Sequence, residues 1–130
     1  MTQPEFVYRL IEQEAWENAQ RLEHLPYADI DDRDGFLHLS TYEQMLLTAG
    51  RYFSHLDKLL ALEIAFALLA SVIRFETPTS AGVSPNAPGN SEQFPHLYGA
   101  LPIASISRVL LLKKTADGSF IEQGQQDNAS

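Results

Sequence analysis

Two of the four histidines in this chain stand in matching surroundings. His38 lies in "RDGFLHLSTYEQ" (33–44), between Leu37 and Leu39 and two residues ahead of the hydroxyl pair Ser40 and Thr41. His96 lies in "FPHLYG" (94–99), again between apolar and aromatic neighbours, with Tyr98 two residues on. Near neutral pH an imidazole donates, accepts or transfers a proton, which suits ligand orientation or general acid-base catalysis. Taken singly, each would be read as a structural histidine; the pairing makes them candidate catalytic groups. His24 and His55 sit among loop-like residues and read as surface groups.

The elements around His38 sharpen this. "GFLHLS" (35–40) alternates as a strand, with Phe36, His38 and Ser40 on one face. Thr41 to Gln44 then fits a capping box, and Tyr42, Met45, Leu46, Ala49, Tyr52 and Phe53 keep helical spacing. His38 thus precedes a helix start, where free backbone N–H groups and the helix dipole favour anions. Ser40, Thr41 and Gln44 at that start, together with Arg9 and Tyr98, are the candidate ligand-binding residues.

Other chemistry fits less well. Asp29, Asp31, Asp32 and Asp34 lack the joint spacing, glycine and terminal glutamate of a calcium loop and read as a solvated loop. A metal site would need three ligands or more, for example His38, His96 and a carboxylate, and no HxH or HExxH spacing supports one, so the expectation is no metal. Ser40 lacks a GxSxG elbow, and cysteine is absent. Glu63 and Glu76, in or at the end of apolar strands, call for partners, and Arg9 and Arg74 are the candidates.

The remaining elements are strands at 6–10, 58–64, 73–76 and 106–114, a helix at 11–23, a helical turn within 65–72, and a Pro, Gly and Ser-rich loop at 77–93 that reads as a lid or binding loop. The expected organisation is a single α+β domain over 1–121, with 122–130 a disordered polar tail. Hydrophobic residues make up 45%, enough for one core, and the net charge of -8 opposes broad nucleic-acid or anionic-membrane binding. No secretory pattern or apolar stretch of spanning length is found, so the expected location is cytoplasmic.

The two blocks "DGFLHLST..Q" and "FPHLYG" resemble those of the bacterial domain-of-unknown-function 952 family, and the likeness runs from about Phe6 to Phe120. The resemblance implies an ADP-ribosyltransferase-like fold, with two small split β-sheets around a cleft and flanking helices, and an opening similar to that of RNA 2'-phosphotransferases. It implies a small anionic or nucleotide-like ligand of NAD or ADP-ribose type, with His38, Ser40 and Thr41 in the cleft and Arg9 as an anion contact. Many transferases of that fold carry a His-Gly-Thr type element where this chain has Tyr8-Arg9-Leu10, and no residue here is assigned as their catalytic glutamate. Two classes stay open: a transferase relative with a nucleotide-type cleft, and a non-catalytic ligand-binding or interaction module.

Overall fold

A computed structural model describes residues 3–77 and 93–125. Strand β1 (Phe6–Ile11) leads into the short helix α1 (Gln13–Ala19), then helix α2 (Asp29–Asp34), strand β2 (Leu37–His38) and helix α3 (Tyr42–Tyr52). Strand β3 (Lys58–Ala65), the single turn α4 (Phe66–Leu69), a 3-10 turn and strand β4 (Ile73–Glu76) follow. Strand β5 (Phe94–Leu97), a second 3-10 turn, β6 (Ile106–Lys114) and β7 (Phe120–Gln125) complete the order.

The strands form two antiparallel sheets, one ordered β1-β3-β6-β7 and one ordered β2-β5-β4. Why "KLLALEI" shows no polar alternation follows from what covers it. Leu60, Leu62 and Ile64 pack with Val7, Val109, Trp16 and the small-sheet residues Leu37, Ile73 and Leu97. Leu59 and Ala61 pack on the opposite face with Tyr8, Leu10, Leu110, Leu112 and the α3 residues Met45 and Ala49. Both faces are therefore buried, and each needs its own apolar row.

The sheets meet at a reciprocal backbone pair. Tyr8 N–H donates to Ser40 O and Ser40 N–H to Tyr8 O, both at 2.8 Å. Ser40 thus extends the short β2 segment onto the edge of the large sheet.

Three sequence expectations change. Ile11 belongs to β1, and the helix expected over 11–23 is confined to Gln13–Ala19. The acidic run is a helix and not a loop: Asp31 O accepts Gly35 N–H at 2.8 Å, and Gly35 closes the turn at φ 85°, where a residue without Cβ meets no steric penalty. Residues 122–125, expected to belong to the tail, are strand instead: β7 runs to Gln125 and pairs with β6 through Glu122, Gly124 and Gln125. The loop expected at 77–93 falls largely outside the described residues, as do 126–130.

Truncation after Ile121 removes that ladder together with the 2.5 Å bond from Tyr42 Oη to Glu122 Oε1. At about 1 kcal/mol net per hydrogen bond, the loss should amount to roughly 2 to 3 kcal/mol, read as a lower urea midpoint. An unchanged midpoint would show that these residues add nothing to the sheet.

Candidate functional site

Asp31 organises the polar centre. Its side chain is fully buried, and every oxygen is used. Arg9 donates to it twice, Nη1 to Oδ1 at 3.1 Å and Nη2 to Oδ2 at 2.7 Å, a fork geometry suited to guanidinium and carboxylate. The His38 backbone N–H donates to Oδ1, and Ala28 N–H to Oδ2. Burial alone would raise the pKa of Asp31, but the hydrogen bonds from His38 and Arg9 outweigh it and hold the carboxyl well below its usual range.

His38 is engaged at both ring nitrogens. Nδ1 lies 2.7 Å from Asp31 Oδ1 and Nε2 2.9 Å from Asp34 Oδ2. A doubly protonated ring donates to both carboxylates, a neutral ring to one. The arrangement ties β2 to α2, and Arg9 Nη1 adds a 3.0 Å bond from β1 to the His38 carbonyl.

His96 is held differently. Its Nδ1 lies 2.8 Å from Glu76 Oε1, which also accepts a 2.6 Å bond from Tyr98 Oη, and its ring stacks on Phe36 at 3.9 Å between centroids. Strand pairing sets His38 opposite His96, so their ring centroids are 5.8 Å apart. Burial lowers the His96 pKa against the opposing pull of Glu76.

Both histidines line one cavity of about 400 Å³, within the size range of small-molecule sites. Its polar wall adds Arg9, Ser40, Thr48 and Arg51; its apolar wall includes Leu10, Ile30, Leu39, Tyr52, Phe53 and Phe94. Arg9 Nε is buried with no hydrogen-bond partner among the described residues. Arg51 is exposed and forms no ion pair among them.

Of the candidate ligand residues, Arg9, Ser40, His38 and His96 are thus brought to one place. Thr41 and Gln44 serve the start of α3, where Thr41 N–H donates to Gln44 Oε1 at 3.0 Å, and Gln44 Nε2 donates to Gln93 O at 2.7 Å. Tyr98 acts on Glu76, with Arg74 5.4 Å above its ring. Neither expected arginine hydrogen-bonds these carboxylates: Glu63 takes Arg108 at 2.7 and 2.9 Å and Tyr8 Oη at 2.8 Å, and Glu76 takes His96 and Tyr98, with Arg74 contributing only its nearby charge. Arg9, the guanidinium expected to be available for an anion, is spent largely on Asp31.

Thr48, Arg51 and Tyr52 line the cavity without belonging to either histidine motif. One signal was present, since their spacing of three and four residues puts them on one face of α3. Among the described residues, no group of three or more His, Asp or Glu side chains is arranged to hold a metal.

The fold and site thus define an α+β domain of two antiparallel sheets with a histidine-lined cavity beside their junction. The model of a family described as "Protein of unknown function (DUF952)" matches residues 10–109, and the chain belongs to that family. The crystal structure of protein CC0527 from Caulobacter crescentus is similar at 27% identity and a TM-score of 0.74, over 89% of this chain and 93% of that one. Its solution NMR structure is similar at 26% identity and a TM-score of 0.69, over 88% and 90%. No curated protein matches.

Proposed function

We propose that the cavity binds a small nucleotide-like ligand of NAD or ADP-ribose type. The observation that carries this is the juxtaposition, around one space of about 400 Å³, of His38, His96, two arginines and the aromatic side chains of Tyr52, Phe53 and Phe94. Aromatic walls suit a planar base. Arg51, exposed and with no ion pair among the described residues, offers a positive charge for phosphate. The pair of sheets flanking the cavity supports a relation to the ADP-ribosyltransferase-like fold, and a glycosyl- or phospho-transferase ancestry rests on that likeness alone.

A non-catalytic ligand-binding module is the second reading, and one observation favours it. Both nitrogens of His38 are held by carboxylates, which makes this ring a fastening of the cavity wall and leaves His96 as the lining imidazole with a nitrogen unpartnered among the described residues.

A thermal-shift series with NAD, ADP-ribose and phosphorylated nucleotides tests the reading. A ligand at 100 times its dissociation constant adds about 2.7 kcal/mol, or on the order of 10 °C in Tm for a domain of this size. Arg51→Ala should shrink the shift without lowering the ligand-free Tm, since Arg51 has no ion pair to lose among the described residues. No shift from any of these compounds would sink the nucleotide reading.

A further inference from the structure

We propose that His96 is the hydrogen-bond acceptor of the cavity, a ring fixed by Glu76 and Phe36 so that Nε2 receives a hydroxyl or N–H donor from a ligand with an otherwise aromatic or apolar body. The inference rests on the reading of this cavity as a ligand site and adds the chemistry that selects the ligand.

Three contacts fix the ring. Phe36 covers its face, Glu76 Oε1 takes Nδ1 at 2.8 Å, and the backbone at His96 is the centre of the small sheet, paired with His38 on one side and Arg74 on the other. A carboxylate opposite Nδ1 can only accept, so Nδ1 carries the proton and Nε2 presents a lone pair. Burial favours the neutral ring, although Glu76 pulls the other way.

The residue is 3% exposed, yet Nε2 has no hydrogen-bond partner among the described residues. It is not one of the fully buried atoms left without a partner, so Nε2 keeps a small exposed surface of its own. The ring lines the cavity, so what enters the cavity is what can supply the missing donor. His38 cannot take this role while Asp31 and Asp34 hold both its nitrogens. Glu76, about one-third exposed at its side chain, and Tyr98, which donates to it, are positioning residues that act through His96.

The discrimination this gives is chemical. A site whose acceptor is preorganised in an apolar wall rejects an isostere lacking the donor more strongly than one lacking a methylene. Phenol and benzene therefore make a matched pair of probes, since both fill the apolar space and only phenol has a donor.

The experiment follows the imidazole nitrogens of the 15N-labelled full chain at pH 7.5, with the His96 signals assigned by their loss in His96→Gln. The free protein should show a protonated Nδ1 and an unprotonated Nε2. Phenol should move the Nε2 resonance toward its protonated value, and benzene should leave it in place. Glu76→Ala should mix the two tautomers and weaken phenol binding roughly two- to tenfold, the worth of one hydrogen bond. Glu76→Gln, whose amide oxygen still accepts from Nδ1–H, should restore most of both. A merely structural Glu76 would leave the tautomer unchanged in Glu76→Ala, which would overturn its positioning role. A protonated Nε2 in the free protein, equal responses to phenol and benzene, or no response to phenol at its solubility limit would overturn the acceptor. A phenol response with no nucleotide shift keeps the acceptor and removes the nucleotide reading; an Arg51-dependent nucleotide shift with no phenol response does the reverse.

Discussion

Asp31→Ala should lower stability by about 3 to 5 kcal/mol, the scale for removing one partner of a buried ion pair and stranding the others. The substitution leaves the two Nη atoms of Arg9, His38 Nδ1 and the His38 and Ala28 N–H groups facing an empty position. For a domain of this size the loss is on the order of 10 to 20 °C in Tm. Its pH dependence has a defined sign. Because the native carboxyl titrates below its unfolded value of about 3.9, its contribution is complete above that value and disappears as pH falls toward the depressed native one. The Tm gap between wild type and Asp31→Ala should therefore be constant from pH 7 to 5 and close below about pH 4. A gap of the same size at pH 3 would contradict the charged network.

This network also shows where sequence reasoning reaches its limit. The long apolar strands could be read directly: β6 has the expected bounds of 106–114, and β3 extends the expected 58–64 by one residue. Helix α3 was legible because its capping residues and periodic apolar face are local signals. Helix α2 was not, since four aspartates in six residues resemble a solvated turn. What buries Asp31 is an arginine from β1 and a histidine from β2, and no local pattern encodes that meeting. For β7, the residues "EQGQ" (122–125) look like a tail by composition and become strand through their ladder with β6. At the site, the two histidines were found by motif. The role of Glu76 depends on the pairing of β4 with β5, which spacing alone does not give, whereas Asp34 lies only four residues from the His38 it holds.

Leu97→Ala should cost about 2 to 5 kcal/mol. Leu97 is fully buried, stands opposite Leu37 on one side and Ile73 on the other, and belongs to the cluster that joins the small sheet to Val7, Leu60, Leu62 and Val109 of the large one. Losing the side chain forfeits its transfer free energy and leaves a void, at about 24 cal/mol per Å³ of residual cavity. Urea unfolding checks this through a lower midpoint at constant m, since a packing defect does not change the surface exposed on unfolding. A cost below about 1 kcal/mol would mean that the small sheet can slide to fill the gap.

The strand pairings also fix an order of events. The β6–β7 hairpin closes over a short turn, so its partners meet early. Val7 waits for Ile64, and His38 waits for His96. Closing such long loops must come before their contacts reward it, and chains dominated by non-local strand pairs fold slowly for that reason. During synthesis β2 lacks its ladder partner until β5 follows, although Arg9 and Asp31, which bond the His38 backbone, have already been made. His96 and Phe94 complete the cavity wall, so the nascent chain carries no formed cavity until most of its length has been made.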